Sequence, residues 1–187
     1  IVYLADKYGI SLADISTGDY FVTEVDTERK LIDEINKFAP SEIIRNESFY
    51  MSGVDLSDMK NRLGIAVYSL EAWYFSDETA ENTLKEHFKV QSLEGLGLSD
   101  YACGTIAAGA LLRYLYETQK NDLGNLSAIH PYSTGKYMII DSSTRRNLEL
   151  VETLREKQKR GSLLWVLDKT KTAMGARTLR AYVEQPL

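Results

Sequence analysis

The sequence has little of the residues that support disulfides, metal centres and rigid loops. Its 187 residues include one cysteine, two histidines and three prolines. The lone Cys103 excludes a disulfide within the chain and favours a protein from a reducing, cytoplasmic compartment. His87 and His130 have no second histidine or cysteine at zinc-ligand spacing, so we expect no metal site.

Long hydrophobic runs are also missing. The longest uncharged apolar stretch, Tyr101–Leu112, is bounded by Asp100 and Arg113 and is shorter than the ~20 residues of a membrane helix. The chain opens at Ile1 in a predicted strand, without the pattern of a signal peptide, and it stops directly after a helical pattern. We therefore expect no membrane association, and we expect both ends to be cut from a longer protein.

Two glycine-containing segments fall short of nucleotide-binding motifs. Gly135-Lys136 lacks the Ser or Thr that ends a phosphate-binding loop, and His130 takes the place of its first glycine. Gly95-Leu96-Gly97 resembles the start of a dinucleotide loop, but Asp100 replaces the third glycine and would repel a pyrophosphate. We therefore expect no cofactor in this chain.

Charge is distributed unevenly along the chain. Residues 142–187 carry ten Lys or Arg and five Asp or Glu, a net charge of +5, and residues 1–141 carry −10. Non-specific affinity for nucleic acid depends on Lys and Arg displacing counterions. The acidic first part is therefore not expected to bind DNA.

Three segments rich in β-formers open the sequence: Ile1–Ala5, Ile10–Ser16 and Tyr20–Val25. Short turn-forming stretches, Asp6–Gly9 and Thr17–Asp19, separate them. The pattern predicts a three-stranded antiparallel meander.

A helix is predicted next, between a capping Asp26 or Thr27 and Pro40. Further strands are predicted at Glu42–Arg45 and Ile65–Leu70, and a short helix or loop lies between them at 46–62. A meander followed by a helix and a strand is typical of an α/β fold with a mixed sheet and helices on its faces.

Two longer helices follow. One begins behind Ser76, with a narrow apolar stripe of Ala80, Leu84 and Phe88, and the other is the small-residue segment Tyr101–Gln119. The second helix can lie very close to the sheet. The polar face of the first is expected to point to water, through Glu78, Glu81, Asn82, Lys85 and Glu86.

A polar stretch at 119–125 predicts a domain boundary, with one domain at 1–124 and another at 125–187. In the second domain we predict strands at Leu126–Ile129 and Tyr137–Ile140. A long helix is predicted from Ser142 or Ser143, carrying Leu148, Leu150, Val151 and Leu154, until Gly161-Ser162 breaks it. Two more helices are predicted at Leu163–Leu167 and from Met174 to Val183. Leu163, Leu164, Val166 and Leu167 are expected to form an exposed apolar patch.

Asp14 offers an enzymatic alternative. Ribonuclease-H-like nucleases carry a metal-binding aspartate in a comparable strand and hold two Mg²⁺ ions with three or four convergent carboxylates. Glu34 and Glu42 are the other candidate acids. Asp14 is equally explained as a residue that bonds the amides of the turn at 16–18.

Several blocks of residues occur in the order and at the spacing of one family. In the C-terminal part they are Asp141–Leu150, Gly161–Asp168, Thr172–Arg177 and Gln185–Leu187. In the N-terminal part they are Ala13–Gly18, Pro40–Ile44 and Leu93–Gly97. Over essentially its whole length the chain resembles the connector domain and the beginning of the core domain of the MutS DNA mismatch-repair proteins.

The resemblance implies a ribonuclease-H-like connector that has lost nuclease activity, followed by a mostly helical, incomplete core segment. It implies a bacterial, nucleoid-associated homodimer in which other domains bind mismatched double-stranded DNA and use ATP and Mg²⁺. The connector would relay ATP and mismatch signals between domains and dock MutL, without being an enzyme itself.

Two sets of residues follow from the resemblance. The family's MutL interface includes the polar face of the helix at 77–88, here Glu81, Asn82 and Thr83. The start of the core motif, Arg145, Arg146 and Asn147, would lie at the connector–core junction, which Arg146 or Asn147 would fix through fork-type hydrogen bonds. A solvated helix face and a solubilising first turn are the respective alternatives, and direct contact with DNA is a further alternative for the second set.

Overall fold

The computed structural model describes residues 1–119, 123–134, 140 and 142–184. The chain divides into two compact units, Ile1–Ser133 and Thr134–Leu187. The first unit is α/β with a mixed sheet, and the described part of the second is helical. The domain boundary that we predict after residue 124 falls inside the first unit and stays a prediction.

The antiparallel meander is confirmed. Strands β1 (Val2–Leu4), β2 (Lys7–Asp14) and β3 (Asp19–Val25) pair in sequence order. The first turn is tighter than predicted, because Ala5 and Asp6 both adopt positive φ angles of 49° and 60°. Strand β2 therefore begins at Lys7, three residues earlier than expected.

Strand β6 (His130–Pro131) pairs in parallel with β3 and makes this sheet mixed. The predicted strand at Leu126–Ile129 is wrong, since this segment has no regular secondary structure. Its apolar residues, Leu126 and Ile129, instead pack into the core beside Leu84 and Leu112. Burial of single side chains explains the apolar pattern there.

Strands β4 (Glu42–Arg45) and β5 (Ala66–Ser69) form a parallel pair. Backbone bonds join β4 to the start of β1: the Ile1 nitrogen donates to the Ile44 carbonyl at 2.7 Å, and the Asn46 N–H donates to the Ile1 carbonyl at 3.4 Å. The Asn46 side chain continues the pairing, because its Oδ1 accepts from the Tyr3 N–H and its Nδ2 donates to the Tyr3 carbonyl. The two-stranded sheet β4-β5 is therefore bonded to the β1 edge of the four-stranded sheet, whose strand order is β1-β2-β3-β6.

Helix α1 (Glu28–Phe38) is capped by Thr27, whose hydroxyl accepts from the Lys30 N–H. The helix ends at a left-handed Ala39 before Pro40, as predicted. Its Leu31 and Ile35 lie in one core cluster with Tyr8 and Ile10 of β2. The weakly patterned stretch at 46–62 contains two short helices, α2 (Glu47–Met51) and α3 (Ser57–Leu63).

Helices α4 (Asp77–Phe88) and α5 (Ala102–Thr118) cover the other face of the sheet. Successive strand residues point to opposite faces, and Gly9 of β2 lies directly against α5. A Cβ atom on Gly9 would be 2.3 Å from the Cys103 carbonyl group, and one on Gly109 would be 2.3 Å from the Ala80 Cα. The predicted close approach of α5 is confirmed, and it extends to α4.

The second unit contains α6 (Ser142–Asn147), α7 (Leu163–Leu167) and α8 (Ala173–Glu184). The prediction of one long helix that continues from Ser142 or Ser143 until Gly161-Ser162 is wrong, because α6 ends at Asn147. Glu149 adopts a positive φ of 48°, and the carbonyls of Glu149 and Leu150 accept from the N–H groups of Leu163 and Leu164 instead of continuing the helix. The strand predicted at 137–140 lies outside the described residues apart from residue 140.

No helix in the described part of the chain is long and apolar enough to cross a membrane.

Candidate functional site

Helix α4 lies on the surface of the first unit and is held in place by its N-terminal cap and by close packing on α5. The Ser76 hydroxyl caps its N-terminus by accepting from the Thr79 N–H at 3.1 Å. Ala80 and Leu84 are fully buried, and Ala80 contacts α5 at Gly109 with no side chain between the two helices. Such close contact between helix backbones leaves α4 little freedom to move relative to α5.

The outward face of α4 is polar and mainly acidic. Glu78, Glu81, Asn82 and Glu86 are exposed, as predicted. The Lys85 ammonium lies 2.5 Å from the Glu81 carboxylate, so the positive charge on this face is paired within the helix. The face therefore presents uncompensated negative charge beside the amide of Asn82.

Thr83 does not belong to this face. Its residue exposure is only 8%, which corrects our assignment of Thr83 to the polar side of the helix. The physical reason is helical spacing: Thr83 lies three residues after the buried Ala80 and therefore shares its face. Only Glu81 and Asn82 of the three expected interface residues offer side chains to a partner.

His87 fixes the C-terminal end of α4. One ring nitrogen, Nδ1, lies 2.5 Å from the Tyr116 hydroxyl on α5, and the other, Nε2, lies 2.7 Å from the Leu126 carbonyl. The ring also packs edge-on against Phe88. These contacts tie α4 to α5 and to the segment after it, as expected for a structural histidine.

An exposed aromatic cluster lies directly before α4, in the 3₁₀ turn Ala72–Phe75. The rings of Trp73 and Tyr74 stack with centroids 3.9 Å apart. The Arg113 guanidinium lies 5.7 Å from the Trp73 ring, and Glu117 accepts from both Arg113 and the Tyr74 hydroxyl. The hydrogen bond to Glu117 raises the pKa of Tyr74 to about 12. Sequence patterns missed this cluster, although three consecutive aromatic residues before a cap were a visible signal.

Asp14 is held by its own turn. Its Oδ1 accepts from the Ser16 N–H at 2.9 Å and from the Ser16 hydroxyl at 2.6 Å. The facing Asp19 accepts from the Thr17 hydroxyl at 2.6 Å. Within the described residues, no three His, Cys, Asp or Glu side chains are grouped to hold a metal ion. This geometry favours the turn-stabilising interpretation of Asp14 over the nuclease.

The three core-motif residues occupy different environments. The Arg145 guanidinium is largely buried, with its Nη1 3.6 Å from the Glu184 carboxylate of α8. Arg146 and Asn147 are exposed. The role of all three at a connector–core junction stays a prediction.

The apolar patch predicted on α7 is confirmed for three of its four residues, since Leu163, Val166 and Leu167 are exposed. Leu164 is buried at 4% exposure, because it lies on the inner side of the short helix.

Both parts of the chain match models of known protein domains. Residues 2–128 match the model of MutS domain II, and residues 143–187 match the model of MutS domain III. The chain therefore belongs to the MutS family.

Curated relatives are similar to this chain over all or nearly all of its length. A DNA mismatch repair protein MutS from Lachnoclostridium phytofermentans is 64% identical over all of this chain and 20% of its own length. The MutS proteins of Ruminiclostridium cellulolyticum and Protochlamydia amoebophila are 45% and 38% identical, over 96% and 100% of this chain. The chain spans about a fifth of the length of these relatives.

Proposed function

We propose that this chain is a non-catalytic connector and core segment of a mismatch-repair protein, and that it docks MutL through the outward face of α4. In this proposal the first unit also relays ATP and mismatch signals between neighbouring domains. The observation that carries the docking role is the exposed pair Glu81 and Asn82 on a helix that α5 holds rigidly.

The fold supports a ribonuclease-H-like connector. An antiparallel meander, β1 to β3, is followed by α1 and then by the parallel strands β4 and β5, with helices on both faces. Asp14 lies in a meander strand comparable to the one that carries a metal-binding aspartate in nucleases of that fold class, but it bonds its own turn. A fold of this class used for docking, without nuclease activity, accounts for both features.

The remaining functions of the proposal belong to the longer protein. We propose that ATP, Mg²⁺ and mismatched double-stranded DNA are bound outside this chain, and that the longer protein works as a homodimer. The net charge of −10 on residues 1–141 supports a protein partner for the first unit, since the same charge repels a phosphate backbone.

A rigid helix is well suited to docking. A partner that binds a preformed surface avoids the cost of ordering it, and charge complementarity raises both specificity and the association rate. The Ser76 cap orders the start of α4, and the ion pair with Glu81 holds the Lys85 side chain in one position. The charged groups on this face are therefore already arranged before a partner binds. Reversing that charge should therefore repel a partner without altering the fold.

Binding of MutL to the full-length protein tests the proposal. We would measure the dissociation constant for the N-terminal domain of the cognate MutL by calorimetry, with and without ATP, for wild type and for a Glu81→Arg, Asn82→Arg double variant. The expected result is a loss of at least about tenfold in affinity, because like charges facing one another across an interface cost several kcal/mol.

Glu28→Arg is the matched control. Glu28 is also exposed and lies on α1, which packs on the opposite face of the sheet from α4. Its reversal should leave MutL binding unchanged. Equal binding by the double variant and wild type would contradict the proposed docking site.

A further inference from the structure

We infer that the docking surface extends beyond α4 to an aromatic anchor formed by Trp73, Tyr74, Arg113 and Glu117, which receives a basic segment of the partner protein. We call these four residues the Trp73 surface. The inference rests on the proposed function, because it assigns a second contact region to the same partner.

Exposure of a large aromatic side chain is the first argument. Trp73 is 43% exposed although it lies in a turn packed against α5. Trp, Tyr and Arg are the residues that most often contribute the largest part of the free energy of binding at protein interfaces. Here all three types lie together on one surface, and burial of the exposed indole would contribute through the hydrophobic effect.

Pre-organisation is the second argument. The Trp73 indole N–H donates to the Glu71 carboxylate at 2.9 Å, and its ring stacks on Tyr74 with an interplanar angle of 28°. Glu117 accepts from Arg113 at 3.1 Å and also from Tyr74. These contacts fix the indole in one orientation. An anchor that is already ordered loses little side-chain entropy when a partner covers it.

The charge around the Trp73 surface indicates which kind of partner segment would bind there. Acidic side chains are exposed in the turn, on α4 and on the neighbouring part of α5: Glu71, Asp77, Glu78, Glu81, Glu86 and Glu117. The two basic side chains of the same segments, Lys85 and Arg113, are each bonded to a glutamate. A partner segment with Lys or Arg beside an apolar side chain therefore complements both the charge and the exposed ring.

The Trp73 surface is continuous in the chain with the α4 face. The Ser76 N–H donates to the Trp73 carbonyl at 3.4 Å, and the Ser76 side chain then caps α4. The turn and α4 both pack on α5. A partner that contacts the first turns of α4 can therefore also contact the ordered side chains of Trp73 and Tyr74.

The test compares the same MutL domain with full-length variants in which Trp73 is changed. Trp73→Ala should weaken binding by about tenfold, as expected for a hot-spot residue, while Trp73→Phe, which keeps an aromatic ring, should weaken it by about threefold or less. Tyr50→Ala is the matched control, since Tyr50 is 60% exposed but belongs to α2 on the opposite face of the sheet. Thermal unfolding of each variant checks that the first unit stays folded.

Charge is tested separately with Glu78→Gln and Glu86→Gln together. These changes leave every bond of the Trp73 surface in place, and they should weaken binding at low salt more than at high salt. Equal effects at both salt concentrations would contradict a basic occupant.

The outcomes separate the two claims. If Trp73→Ala and the double arginine variant at Glu81 and Asn82 both weaken binding, the extended surface is supported. If only the arginine variant does, the Trp73 inference is overturned and the proposed function stands. If Trp73→Ala alone weakens binding, the Trp73 surface is supported and the proposed role of Glu81 and Asn82 is overturned. If neither variant changes the affinity of a partner that binds wild type, both are overturned.

Discussion

Gly109→Ala should destabilise the first unit, although alanine is the better helix former. On an unconstrained helix this substitution stabilises by about 1 kcal/mol. Here the new Cβ would lie 2.3 Å from the Ala80 Cα and 2.5 Å from its Cβ, so α4 must move away from α5 by roughly 1 Å to restore a normal contact. Overpacking of this kind costs about 3 kcal/mol. The net loss expected in the free energy of unfolding is therefore about 2 kcal/mol.

The two tryptophans, Trp73 and Trp165, lie in different units, which makes the assay selective. In the 187-residue chain carrying Trp165→Phe, fluorescence during urea unfolding reports on the first unit alone. Gly95→Ala is the control, because nothing lies within 4 Å of a Cβ at that position. Adding Ala80→Gly should restore little stability, because the closest clashing atom is the Ala80 Cα. A Gly109→Ala variant as stable as wild type would refute the proposed backbone contact.

Three further changes test other parts of the structure. Tyr132→Phe removes a bond to the Glu34 carboxylate. Burial also raises the pKa of Tyr132 above its value in the unfolded chain. We expect a loss of about 1.5 kcal/mol that is constant up to about pH 10 and shrinks above it, as titration of the unfolded tyrosine removes the wild-type advantage; a loss that grows above pH 10 would contradict this. Asn46→Ala removes three hydrogen bonds, two of them to Tyr3, and should cost about 3 kcal/mol in urea unfolding; a cost below about 1 kcal/mol would argue against the link that Asn46 makes between β1 and the end of β4. Ser162→Ala removes the cap of α7 and should cost about 1 kcal/mol, measured by Trp165 fluorescence; an unchanged unfolding curve would contradict the cap.

Elements with a clear hydrophobic period were predictable from the sequence. The meander, α1 and α4 each combine a periodic apolar pattern with a capping or turn residue at an observed end, and α5 was predictable from its long run of small and apolar residues. Thr27 and Ser76 both cap the helices that the pattern indicated. In these segments local propensity and tertiary packing favour the same structure.

The predictions of secondary structure were wrong where packing against distant segments of the chain decides the structure. Gly9 was predicted to belong to the turn Asp6–Gly9, because glycine is typical of turns. It lies inside β2, where the absence of a side chain lets the backbone of α5 pack directly against the strand. Strand β6 is two residues long and contains Pro131, so only its pairing with β3 defines it. The helix after Ser142 ends early because the carbonyls of Glu149 and Leu150 bond to the start of α7.

The candidate site was partly predictable for the same reason. The exposed face of α4 follows from its period, and Glu81 and Asn82 lie where that period places them. The same period places Thr83 on the face of Ala80, so its burial was also predictable. The stacking of Trp73 on Tyr74 and their contacts with Arg113 and Glu117 depend on α5, which is adjacent in space but not in sequence. Local patterns contain no information about such contacts.

Amide hydrogen exchange on the full-length protein, with and without the MutL N-terminal domain and in the presence of ATP, tests the central claim most directly. The account predicts that MutL slows exchange at the exposed edges of the docking surface, in residues 72–88 and 113–118. Residues 47–63, which pack on the opposite face of the sheet, should exchange at the same rate in both samples. Protection confined to 47–63, or none in this chain while MutL is bound, would contradict a docking role for α4.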